Sequence, residues 1–104
     1  MIDWTLPAVD LALRCRALTP WPGTYTFFEG ERLIIHKASV FENPDDRPVP
    51  EEPGRVFTIG SEVCVITGEG LLRIESLQAA CRKKQNIRDF INGNRSLINS
   101  KLGN

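Results

Sequence analysis

Four cationic side chains crowd into one short stretch near the C-terminal end, Cys81-Arg82-Lys83-Lys84-Gln85-Asn86-Ile87-Arg88. Arg82, Lys83, Lys84 and Arg88 are the residues whose types and spacing suit a definite chemistry, the attraction of phosphates with release of their counterions. Asn86 is a helix-capping residue, so the cluster flanks a helix start. Aromatic residues at Trp21, Tyr25, Phe27 and Phe28 offer a second feature, since rings facing out of a small barrel can stack bases. Core and hairpin packing is the competing use of the same rings.

The sequence holds no catalytic constellation and no metal site. His36 is the only histidine and falls between Ile35 and Lys37 with no nucleophile or acid beside it. No serine stands in a Gly-x-Ser-x-Gly elbow. Cys15, Cys64 and Cys81 form no Cys-x-x-Cys pair, and with a single histidine they make no zinc site. Asp45-Asp46 and Glu51-Glu52 lack the spacing of a calcium loop. The stretch Ile66-Thr67-Gly68-Glu69-Gly70-Leu71-Leu72 reads as a hairpin turn, because no helix opening with Gly-Lys-Ser/Thr follows it.

The elements that carry these residues follow from periodicity and punctuation. Residues 5–18 predict a helix, with Thr5 as cap, Pro7 in the first turn, and Leu6, Val9, Leu13 and Ala17 on the packed face. Thr19-Pro20-Trp21-Pro22-Gly23 ends it as a rigid corner. Strands are expected at 24–28 and 32–41, joined through 29–31, and again at 55–59, 62–67 and 71–78. Residues 42–54 hold four prolines and five acidic residues and read as a mobile loop. Residues 79–85 form a basic connector, 87–93 a short helix with Ile87, Phe90 and Ile91 inward, and 94–104 a polar, indistinct tail. The fold class expected is mainly β: one domain over 1–104, an OB-like five-stranded antiparallel barrel with an N-terminal helix and a short C-terminal helix.

A chain of 104 residues fits one domain, burying roughly 65% of its unfolded surface. Thirteen basic and thirteen acidic side chains cancel, yet residues 79–104 carry six basic against one acidic. No apolar run approaches the ~18 residues of a membrane span, so no membrane partner is expected, and reduced cysteines suit the cytoplasm.

Several runs, in order, carry a family resemblance: Ile2-Asp3-Trp4 with Leu6-Pro7-Ala8, the stretch from Arg16 to Leu33, Lys37-Ala38-Ser39-Val40, the Gly54 turn, Thr67 to Gln78, Lys83-Lys84, and Asp89 to Arg95. Together they resemble the C-terminal domain of the methionyl-tRNA formyltransferase family over residues 2 to about 95. The resemblance implies an OB-like, non-catalytic domain that helps position the tRNA acceptor arm. It implies an N-terminal catalytic formyltransferase domain as partner, Rossmann-like, holding 10-formyltetrahydrofolate and the catalytic Asn, His and Asp. No residue here inherits those roles, and no cofactor is expected in this domain. Lys83 and Lys84 match the family's double lysine; Arg82 and Arg88 flank it, and their role rests on charge alone. Two departures stand out: the acidic 42–54 loop, and His36 where the family often has an aromatic residue. Related domains follow the catalytic domains of sugar-nucleotide formyltransferases and of formyltetrahydrofolate dehydrogenase. The alternative expectation is therefore an accessory, interdomain-packing module with no tRNA role. A stand-alone small binding protein is the third reading.

Overall fold

The computed structural model describes residues 2–18, 24–42, 52–80 and 82–103. The Trp21-Pro22-Gly23 corner, most of the acidic loop and Cys81 lie outside the described residues. Helix α1 spans Ala8–Leu18. The strands are β1 (Thr24–Phe28), β2 (Glu31–Phe41), β3 (Val56–Ile59), β4 (Glu62–Ile66), β5 (Leu71–Ala79) and the two-residue β6 (Gln85–Asn86). Helix α2 (Ile87–Gly93) and a 3₁₀ turn (Arg95–Leu97) follow.

One antiparallel sheet has the order β1-β2-β5-β4-β3, with β6 paired to β5. It is mainly β with flanking helices, as expected, but the sheet is not closed. β1 and β3 do not pair, and the added sixth strand takes the last residue of the expected connector, Gln85, together with the expected cap Asn86. The chain end spans the gap instead. The Asn99 N–H donates to the Val56 carbonyl at 2.7 Å, Leu102 to Gly54 at 2.8 Å, and Gly103 to Phe27 of β1 at 2.9 Å. Leu97 and Leu102 are buried in the core, so residues 97–103 pack rather than trail off. Composition hid this, because Leu97, Ile98 and Leu102 among polar neighbours show no period.

The β1–β2 connection is the two-residue loop Glu29-Gly30, with φ of 52° and 81°. Two positive φ values make the hairpin turn whose twist matches the strands, and glycine adopts the second freely. Opposite His36 the β2–β5 register breaks: Ile35 pairs with Leu77, Lys37 with Ser76, and Ala38 with Ile74. The break switches alternation, so Leu33 and Ile35 face the main core before it and Ala38 after it. Phe41 then joins a second cluster with Ile59, Cys64, Ile66 and Leu71. Val63 and Val65 face the main core while Cys64 and Ile66 face the second, which explains why β4 reads as an unbroken apolar run.

Helix α1 corrects the expected packing face. Ala8, Leu11 and Cys15 are buried, whereas Val9 and Leu13 are each 55% exposed. The helix starts three residues later than Thr5, and Thr5 serves elsewhere: its backbone N–H donates to the Asp3 carboxylate at 3.0 Å. The Ala8 N–H donates to the Glu69 carbonyl at 2.9 Å, which fixes the helix start against the β4–β5 loop and turns the Ala8-Leu11-Cys15 stripe inward. Both stripes are apolar, so periodicity alone could not choose between them. Helix α2 matches its expectation: the Asn86 side chain accepts from the Asp89 N–H at 2.8 Å, and Phe90 is buried against Phe28 with ring centroids 6.5 Å apart.

Candidate nucleic-acid interface

The basic connector is a loop pinned at both ends. On one side the Arg82 N–H donates to the Ala79 carbonyl at 3.1 Å, and the Gln78 side-chain amide donates to the Arg82 carbonyl at 2.7 Å. On the other, Gln85 and Asn86 pair with Leu77 and Ser76. Between these anchors Arg82, Lys83 and Lys84 are all exposed and, with Gln85, line an open depression of about 480 Å³. Backbone bonding is thus spent within the fold, while the three charged ends project into water.

None of the three cations belongs to an ion pair among the described residues. The ion pairs there join Arg55 to Glu52 at 2.8 Å, Lys101 to Glu52 at 3.6 Å and Arg73 to Glu62 at 3.8 Å. The Arg55 hydrogen bonds are the main reason the Glu52 carboxyl is held below its ordinary pKa.

Arg88 lies apart from them in the surface it lines. It is exposed on the first turn of α2 and borders a different depression, about 280 Å³, whose lining includes Thr58, Ser61 and Glu62. The structure brings Arg82, Lys83 and Lys84 together on one loop, whereas Arg88 lines a different depression, one that Glu62 also lines.

Arg82 also lines a third depression, about 270 Å³, with Arg32, Glu29, Glu31, Phe28 and Phe90 among its walls. Arg32 was not among the residues singled out by the sequence. Its guanidinium stands 5.7 Å from the Tyr25 ring centroid, and Tyr25 meets Phe27 edge-to-face at 5.9 Å and 89°. The only advance signal was its place two residues after a hairpin glycine, opposite an aromatic strand.

The remaining polar and thiol groups are structural. His36 Nε2 lies 2.8 Å from Gln78 Oε1. Because the Gln78 amide nitrogen donates to Arg82, its oxygen is the acceptor, and the proton belongs on His36 Nε2. Cys15 and His36 line a common depression of about 340 Å³, but burial raises the Cys15 thiol above its ordinary pKa, the opposite of what a nucleophile requires. Burial likewise pushes Cys64 up to about 11. Among the described residues no group of three His, Cys, Asp or Glu side chains gathers to hold a metal ion, and no helix is long and apolar enough to cross a membrane.

Residues 1–95 match the family model described as formyl transferase, C-terminal domain. The chain is 40% identical to a methionyl-tRNA formyltransferase of Treponema pallidum, with 99% of this chain and 32% of that protein aligned. It is 40% identical to one of Caldanaerobacter subterraneus (88% and 28%) and 38% identical to one of Marinobacter nauticus (93% and 30%). The chain thus spans about a third of the length of the relatives it matches. A match that runs over residues 1–95 of 104 shows that the chain belongs to the formyl transferase C-terminal domain family.

Proposed function

We propose that this chain is the non-catalytic, tRNA-positioning domain of a methionyl-tRNA formyltransferase-like enzyme of the cytoplasm. Its partner is then an N-terminal catalytic domain, which carries out the formyl transfer and binds 10-formyltetrahydrofolate. No residue of this chain is assigned to that cofactor. The domain holds tRNA weakly and without sequence preference, by phosphate contacts from Arg82, Lys83 and Lys84, with Arg88 as a separate contact on α2.

One observation carries this reading: three adjacent cations, exposed and outside any ion pair among the described residues, sit on a loop whose backbone is tied at both ends. Fixed charges in water are a poor source of fold stability but an effective source of phosphate affinity. The relatives named above are methionyl-tRNA formyltransferases, which favours this reading over a small-molecule formyltransferase accessory.

The test is a titration of initiator tRNA into the wild-type chain and the Lys83→Glu/Lys84→Glu variant over a range of salt. The variant binds more weakly, and its dependence of log affinity on log salt is shallower by about two, one for each lysine. Equal affinities and equal slopes would remove the connector from the interface.

A further inference from the structure

The outer face of the β1–β2 hairpin is composed unlike an idle solvent face. Thr24, Thr26 and Phe28 of β1 are buried, so Tyr25 and Phe27 point the other way, each half-buried. The register sets Tyr25 opposite Ile34 and Phe27 opposite Arg32. Four side chains thus make a patch: two rings, one aliphatic and one guanidinium over the Tyr25 ring. The edge of β1 behind it is occupied by the Ile2 N–H on the Tyr25 carbonyl at 2.7 Å and the Gly103 N–H on the Phe27 carbonyl at 2.9 Å. Strand addition at those two carbonyls is blocked, which leaves the side-chain face as the available surface.

This patch runs into the basic connector. Gln78 is the register partner of Ile34 and donates to the Arg82 carbonyl. The Ala80 N–H donates to the Arg32 carbonyl at 3.1 Å, and Arg32 and Arg82 border the same depression. Two carboxylates, Glu29 and Glu31, share that depression, and Glu29 Oε1 accepts from Ser96 Oγ at 2.8 Å. They oppose a phosphate at Arg32, so the patch suits the uncharged part of a nucleotide, and phosphates belong farther along, at Lys83 and Lys84.

We propose that the Tyr25-Phe27-Arg32 face is a base-stacking platform for an unpaired stretch of RNA, contiguous with the phosphate-binding connector. Rings and a guanidinium plane stack on any base, so the platform selects unpaired over duplex RNA and not one sequence over another. This inference rests on the RNA-binding reading above.

Two probes of equal phosphate number test it on the 104-residue chain: a short oligouridine and a blunt RNA duplex. The Tyr25→Leu/Phe27→Leu variant keeps apolar bulk but loses the rings. Oligouridine binding falls by about tenfold for each base that stacks, while duplex binding and both salt slopes hold. Tyr25→Trp, which keeps a ring, binds oligouridine at least as tightly as wild type, so the idea stays testable should the leucine variant fail to fold. If oligouridine affinity is unchanged by ring loss, or if both probes weaken equally, the platform is overturned; in that case loss of binding in Lys83→Glu/Lys84→Glu still leaves the connector reading standing. If wild type binds neither probe, the RNA reading fails and the platform falls with it.

Discussion

Cys64 makes a specific demand on the pH dependence of stability. Its side chain is fully buried between β3 and β5, and burial moves its pKa from 9.0 to about 11, with the nearby Glu62 carboxylate adding to the rise. As pH rises past 9 the unfolded chain loses the thiol proton first, which stabilises the unfolded state. The stability contributed by the protonated thiol is therefore complete below pH 9 and drains away towards 11. Denaturant unfolding under reducing conditions across this range should fall more steeply for wild type than for Cys64→Ala, by on the order of 1 kcal/mol per pH unit. Parallel curves would mean that the thiol is more hydrated than its position implies. Cys15, also raised by burial, leaves a residual slope in the variant.

The Thr67–Gly70 turn is the joint on which the N-terminal segment rests. The Gly68 N–H donates to the Trp4 carbonyl at 2.9 Å, and the Ala8 N–H returns to Glu69. Thr67 Oγ1 donates to the Glu69 and Gly70 carbonyls at 2.8 and 2.7 Å, which holds the turn in shape. A Cβ on Gly68 would lie 1.8 Å from the Thr5 carbonyl oxygen, a backbone atom that cannot swing aside. Gly68→Ala should cost on the order of 3 kcal/mol in urea unfolding, since relief requires lifting the segment before α1 off the sheet. A cost within a few tenths of a kcal/mol would show that this segment yields easily. The sequence marked this stretch as a turn but gave no sign of what leans on it. That contact joins residues more than sixty positions apart, and no local period reports it. The same blindness explains the reversed face of α1, where Leu13 looked as good a core residue as Leu11. The capped helix α2 was legible because Asn86 and Asp89 act within one turn.

For the chain taken together, the β-rich class, the single sheet and the open basic loop were readable from turns, alternation and charge runs. The lack of closure was not, because it depends on where Asn99–Gly103 docks between β3 and β1. The candidate site divides the same way. Arg82, Lys83 and Lys84 were visible as a run, and the fold keeps them together. Arg88 was grouped with them by sequence distance, yet helix geometry directs it to the depression beside Glu62. Arg32 and the outward rings became a neighbouring surface only through strand pairing, which brings residue 32 beside residue 80. Local signals thus found the basic loop, and only register could find what borders it.

The most direct test of the account is an amide NMR titration of this chain with initiator tRNA at two salt concentrations. The account predicts shift changes concentrated on residues 82–88, with a fringe at Tyr25, Phe27 and Arg32, that shrink markedly at the higher salt. Absence of shifts at low salt, or changes confined to the exposed Val9–Leu13 side of α1, would contradict it and point to a domain whose task is packing against another domain.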